Sequence, residues 1–97
     1  MALTEAVRLP DVEPGSFPEG FDSTVMSYWK QSETWMMHFP PYTLGNLSKH
    51  TVTEHEDRTI SVAPSIKVTN PQGTHRHGFL RRGVWEPCGD DRQGGEG

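Results

Sequence analysis

The sequence predicts a mainly β protein, with a small antiparallel sheet of four or five short strands. The strongest evidence is residues 59–68, TISVAPSIKV, where Ile60, Val62, Ile66 and Val68 fall on one parity and polar side chains fill most of the other. A period of two is typical of a strand with one buried face. Two further observations, a polar turn before this segment and a glycine-containing turn near residue 83, indicate hairpins on either side of it.

The first hairpin joins residues 49–54, KHTVTE, to the long strand. These residues are rich in β-branched side chains, and the polar HEDR at 55–58 supplies the turn. Pro64 lies within the long strand but has no N–H to donate, so we expect a sheet edge or a β-bulge at that point.

The second hairpin covers residues 75–87. HRHGFL and VWEP flank RRG, in which Gly83 can adopt the positive φ that a tight turn requires. Residues 35–39, WMMHF, add a further strand, and the prolines that follow end it.

The chain is predicted to divide into three parts. Residues 1–24 are rich in proline, glycine and acids and predict an extended, flexible arm, which Phe17 and Phe21 would anchor on the protein itself or on a partner. Residues 25–88 form the β domain, and the polar residues 89–97 form a disordered tail. Residues 22–34 fit a short helix capped by Asp22 or Ser23, or an edge strand; we favour the helix.

Composition excludes several classes of function. The 97 residues carry a net charge of −4, which argues against a general nucleic-acid binder. A single cysteine, Cys88, excludes an internal disulfide and a zinc site with several thiolates in one chain. The sequence has neither a signal peptide nor a membrane-length apolar segment, so we expect a cytoplasmic location.

Two histidines one residue apart are the main candidate for chemistry. On a strand, His75 and His77 point the same way about 7 Å apart, and together they could bind one zinc or iron ion. A third ligand would come from His50, His38 or Glu54. The alternative is that both histidines simply occupy the solvent-facing positions of a half-buried strand.

The last hairpin is also a candidate contact surface. Arg76, Arg81 and Arg82 make it cationic in an acidic protein, which suits an acidic partner. Of the three tryptophans, Trp85 beside these arginines is the one we expect to be exposed as an interface anchor. We expect no enzyme, because the sequence contains neither a Gly-x-Ser-x-Gly elbow nor a phosphate-cradling glycine loop.

Residues 35–88 resemble a family of small proteins encoded mainly by bacteriophages of actinobacteria and by prophages. The EHED turn, the TISVAPSI strand and the HGFLRRGVW hairpin carry the likeness. The resemblance implies a phage or prophage origin more than an activity. Together with the absence of catalytic motifs, it leads us to expect a non-enzymatic accessory protein that acts by protein contact, without a cofactor, in the host cytoplasm or the virion. Its partner would be a phage structural protein or a host protein, and the small core also favours a homo-oligomer. The alternative function is a histidine-ligated zinc domain, with hydrolytic activity as a further option.

Overall fold

The chain folds into two β-sheets, as seen in a computed structural model that describes residues 3–40, 43–69 and 75–89. In chain order the strands are β1 (Thr4–Glu5), β2 (Val7–Arg8), β3 (Ser27–Gln31), β4 (Thr34–Phe39), β5 (Thr43–Asn46), β6 (Thr51–Glu54), β7 (Ile60–Thr69), β8 (His75–Arg81) and β9 (Val84–Pro87). One sheet has the order β1-β9-β8-β7-β6, and the other has the order β2-β3-β4-β5. The predicted mainly β class is confirmed, with more strands than expected and two sheets instead of one.

Neighbouring strands are antiparallel except for β2 and β3, which run parallel. Both predicted hairpins are present as β6–β7 and β8–β9, and Gly83 has a φ of 78° in the second turn. Within the described ranges there is no α-helix, and so no helix able to span a membrane.

The long strand β7 behaves as its alternation predicts. Ile60, Val62 and Ile66 are buried, whereas Val68 is half-buried at its far end. The pairing register between β7 and β8 shifts between Val62 and Ile66, around Pro64. The pairing of β7 with β6 extends only from Ile60 to Ala63, so Pro64 lies just beyond that ladder and within the irregularity of the β7–β8 pairing, where its missing N–H is accommodated.

The N-terminal arm is part of both sheets. Thr4 pairs with Trp85 in the five-stranded sheet, and Val7 pairs with Ser27 in the four-stranded sheet. Between them the Ala6 N–H donates to the Gly83 carbonyl at 2.8 Å. Residues 4–8 are therefore extended, as predicted for residues 1–24. They are not a flexible arm, however, because they pair with both sheets and join them. Residues 90–97 of the predicted tail lie outside the described residues.

The helix favoured at residues 22–34 is wrong, because strand β3 and the start of β4 occupy this segment. Ser27, Tyr28 and Trp29 are all buried, so β3 is covered on both faces. A helix would have buried only one stripe of side chains, and the two buried faces of β3 arise from parts of the chain that are distant in sequence.

The main core lies between the two sheets. It is formed by inward-facing side chains from both of them, with Trp35, Val52 and Val68 packed at its margins. The buried apolar members are Ala6, Met26, Tyr28, Met37, Phe39, Leu47, Ile60, Val62, Ile66, Leu80 and Trp85.

Candidate contact surface

The predicted metal-ligating histidines lie near one another but engage protein atoms. His77 Nε2 is 3.1 Å from Ser65 Oγ, and His50 Nε2 is 3.1 Å from the Ser65 carbonyl oxygen. The His75 and His77 rings are 6.5 Å apart. Because a carbonyl oxygen only accepts, His50 Nε2 must carry the proton of that hydrogen bond and has no lone pair for a metal.

The other two proposed ligands are directed elsewhere. His38 Nδ1 lies 3.4 Å from the Val25 carbonyl, and Glu54 accepts a hydrogen bond from Arg8 at 3.0 Å. In the described part of the chain, no three His, Cys, Asp or Glu side chains are grouped so that they could hold a metal ion. Zinc binding stays a prediction.

The expected exposure of Trp85 is wrong. Its side chain is 1% exposed and packs edge-to-face against Phe39, with ring centroids 5.0 Å apart. β9 lies between β1 and β8, so this face of the hairpin belongs to the core. The sequence alone does not show that β1 pairs with β9, or that the four-stranded sheet covers the face of β9 that carries Trp85.

The arginines of the last hairpin do not form one surface patch. Arg76 is only 7% exposed, and its guanidinium carbon lies 5.7 Å from the ring centroids of both Phe39 and Trp85. Arg81 is exposed and paired with Glu86, whereas Arg82 lies in the turn, where its N–H donates to Ser61 Oγ. The predicted cationic surface is wrong, because Arg76 points into the core and Arg81 is neutralised locally.

Phe17 and Phe21 anchor the arm on the protein itself. Their ring centroids are 4.6 Å apart, and both rings pack against Trp29, at 6.2 Å and 5.8 Å respectively. Phe21 also contacts the His38 ring at 4.9 Å. The arm therefore covers the outer face of the four-stranded sheet, opposite the face that lines the main core.

A row of side chains crosses this outer face. Val7 is opposite Ser27, Ser27 is opposite His38, and His38 is opposite Leu44. Residues directly opposite each other in neighbouring strands have side chains on the same face of the sheet. The arm buries the two middle members, while Val7 and Leu44 at the two ends each remain 44% exposed.

Exposed apolar side chains are therefore concentrated on one side of the molecule. Of the four large hydrophobic residues that are exposed in the described ranges, Val7, Phe17 and Leu44 lie on the side of the outer face of the four-stranded sheet. Leu3 lies near Val84 of the five-stranded sheet. We call the surface formed by Val7, Phe17, Phe21 and Leu44 the arm face. Exposed apolar side chains grouped on one face of a protein are a common feature of surfaces that bind other proteins.

The arm returns to β3 through a local turn next to this surface. Asp22 Oδ1 accepts hydrogen bonds from the Thr24 hydroxyl at 2.7 Å and from the Thr24 N–H at 2.9 Å. These two bonds lower the pKa of Asp22 below 3.8, so the carboxylate is ionised at neutral pH. The arm face consequently has a fixed negative charge at its border.

Sequence reasoning identified Phe17 and Phe21 but missed Val7 and Leu44. Neither stands out in the sequence, because each reaches the outer face of the four-stranded sheet only through the pairing of β2, β3, β4 and β5. One signal was present, since residues 39–48 contain no charged side chain, and this run includes Leu44.

The fold and this surface define a small two-sheet β protein whose N-terminal arm covers one sheet and leaves an apolar surface exposed. Comparisons of the chain with protein families, curated proteins and solved structures find no match.

Proposed function

We propose that this protein is a non-enzymatic accessory protein that acts by binding another protein through the arm face. The supporting observation is the concentration of exposed hydrophobic residues there: Phe17 is 59% exposed, and Val7 lies on the same face of the sheet. Aromatic side chains on a rigid support are common anchors of protein interfaces, because they bury a large area at little cost in conformational entropy.

The support beneath Phe17 is what favours a binding role over chance exposure. Its ring packs on Phe21 and on Trp29, and Trp29 is itself 1% exposed. The ring is therefore presented by a packed aromatic cluster. A partner would bind a largely preformed surface, so few side chains of the arm face would lose conformational freedom on binding.

The resemblance of residues 35–88 to phage and prophage proteins adds the biological setting to this proposal. The partner would then be either a structural protein of the virion or a protein of the host cytoplasm. An apolar surface bordered by the Asp22 carboxylate suits a partner with an apolar groove and a cationic rim.

The test is chemical cross-linking and mass spectrometry in cells that carry the gene, with a Val7→Thr/Phe17→Ser double variant. Loss of an aromatic anchor can raise the dissociation constant of an interface by about tenfold or more, so the amount of cross-linked partner should fall clearly, most of all where the complex is not saturated. Leu3→Ser is the matched control, since Leu3 is 62% exposed and does not belong to the arm face. Near-UV circular dichroism would verify that each variant keeps the fold.

Recovery of the same partner in equal amounts with the unaltered protein and both variants would refute the arm face as the contact surface. Where a partner depends on Phe17, its identity distinguishes the two settings: a particle protein that cofractionates with virions indicates a virion component, and a soluble host protein indicates a host-acting factor.

A further inference from the structure

The outer edge of the four-stranded sheet offers a second kind of contact. Strand β5 is the last strand of this sheet, and in the described part of the chain it pairs only with β4. The outward-facing N–H and C=O groups of an edge strand form a template to which another strand can add. Many edge strands carry lysine or other charges that oppose such pairing.

Strand β5 carries none of these charges. Residues 39–48, FPPYTLGNLS, contain no charged side chain, although the chain as a whole has a net charge of −4. Strand β6, one of the two outermost strands of the other sheet, is different: Glu54 lies within it and is held by Arg8, and Lys49 precedes it. Two copies of an acidic protein repel each other least where their surfaces are uncharged, and β5 is such a place.

The side chains of β5 also favour contact at the edge and the outer face. On the inner side a Cβ at Gly45 would lie 3.2 Å from Val68 Cγ1, so this side is already packed against β7. Leu44 points to the opposite side and is 44% exposed. An apolar side chain on an uncharged edge strand gains most from a neighbouring strand that also carries an apolar side chain.

We infer that β5 pairs with β5 of a second copy of this chain, antiparallel about a two-fold axis near Leu44. The two four-stranded sheets would then become one continuous sheet of eight strands, with the two Leu44 side chains in contact on its outer face. Such an interface is self-complementary, because each strand presents the same groups to the other. This inference does not depend on the proposed function, since it requires no foreign partner.

The first test is sedimentation velocity of the purified chain over about a hundredfold range of concentration, because the mass of a self-associating protein rises with concentration. We expect a reversible shift from monomer to dimer. Leu44→Lys places a lysine of one copy opposite the same lysine of the second copy. Because the two like charges repel each other, the dimer dissociation constant should rise by about tenfold or more. Leu3→Lys, at an exposed leucine away from β5, should leave the constant unchanged.

Hydrogen exchange on the unaltered chain provides a second readout that needs no variant. Amides of β5 should exchange more slowly at the concentrations where the dimer forms, while amides of β6, an outermost strand of the other sheet, should not change. A monomer at every concentration overturns the inference, as does a dimer that Leu3→Lys weakens and Leu44→Lys does not. The Val7→Thr/Phe17→Ser variant should still dimerise, which separates a failure of this inference from a failure of the proposed function.

Discussion

At the scale of single residues, Gly78 shows how closely β8 and β9 approach each other. A Cβ at this position would lie 2.8 Å from Trp85 Cζ2 and 3.0 Å from Pro87 Cα, and closer still to the Glu86 carbonyl oxygen. Two of these three contacts involve backbone atoms, which cannot move aside as a flexible side chain can. The hairpin therefore requires glycine for space, beside the tryptophan that fills the core.

We expect Gly78→Ala to lower the free energy of unfolding by about 2–3 kcal/mol, because overpacking here displaces both Trp85 and the backbone of β9. Urea denaturation followed by tryptophan fluorescence measures the loss. Gly89→Ala is the matched control, since nothing lies within 4 Å of its Cβ, and it should change the free energy by no more than about 0.5 kcal/mol. Equal stability of the two variants would contradict the close approach of β9 to β8 at Gly78.

Residue identities also explain which parts of the candidate site could be foreseen. Phe17 and Phe21 were recognisable because large aromatic side chains stand out in a polar, proline-rich segment. Trp85 and Arg76 were misjudged for the opposite reason, because an arginine-rich hairpin looks like a surface feature when its neighbours are unknown. In the structure Arg76 lies over the rings of Phe39 and Trp85, and Phe39 belongs to a strand that is distant in sequence.

At the scale of elements, the turn between β6 and β7 is held by several short-range bonds. Asp57 Oδ1 accepts from the Thr59 hydroxyl at 2.6 Å and from the Thr59 N–H at 3.1 Å. His55 Nε2 lies 2.7 Å from Ser61 Oγ, which also accepts the Arg82 N–H from the neighbouring hairpin. This turn therefore closes its own hairpin and is tied to the turn between β8 and β9.

The turn should lose stability in acid. The bonds from the Thr59 hydroxyl and N–H lower the pKa of Asp57 below 3.8, and the nearby Arg82 and His55 lower it further. A carboxyl group whose folded-state pKa is depressed stabilises the fold above its unfolded pKa, and this contribution disappears as the pH falls through the folded-state value. The stabilisation by Asp57 should thus be complete at neutral pH and fade below pH 3.8.

Asp57→Ala tests this expectation through urea denaturation at a series of pH values. The unaltered protein should be more stable than the variant at neutral pH, and the difference should shrink as the pH falls below 3.8. Glu56→Ala, an exposed neighbour in the same turn, should have the smaller effect at neutral pH. A difference between Asp57→Ala and the unaltered protein that stays constant into acid would show that the charge of Asp57 is not the cause.

Elements with local causes were the predictable ones. The hairpins β6–β7 and β8–β9 follow from alternation and turn residues within about 20 residues of sequence, and both are confirmed. The segment 22–34 was not predictable in the same way. Val25, Met26 and Trp29 fit a helix or a strand equally well when the segment is considered alone. The strand is favoured because β4 pairs with β3 and because the arm packs on Trp29.

At the scale of the whole molecule, Arg8 connects the two sheets. It lies on β2 of the four-stranded sheet, with its side chain 12% exposed. Its Nη1 donates to Glu54 Oε2 at 3.0 Å and to the Arg58 carbonyl at 2.9 Å, both in or beside the five-stranded sheet. The guanidinium carbon also lies 4.8 Å from the Trp35 ring centroid. The sequence contains no sign of this role, because Glu54 and Arg58 are 46 and 50 residues away from Arg8.

Replacing Arg8 by methionine should therefore weaken the attachment of one sheet to the other. Methionine keeps an unbranched side chain that can cover Trp35 but loses the hydrogen bonds to Glu54 and to the Arg58 carbonyl. Glu54 is 46% exposed and can return to water, so the cost is smaller than for a fully buried ion pair. We expect the free energy of unfolding to fall by about 2 kcal/mol.

The measurement is urea denaturation of Arg8→Met beside Lys67→Met, which removes an exposed cation from β7 and should alter stability by no more than about 0.5 kcal/mol. Hydrogen exchange shows where the loss occurs. Because Arg8 joins the sheets on the side of β2 and β6, amides in those two strands should lose more protection than amides in β9. Equal loss in all three strands would mean that Arg8 stabilises the molecule only globally, and no loss of stability would remove it as the connection between the sheets.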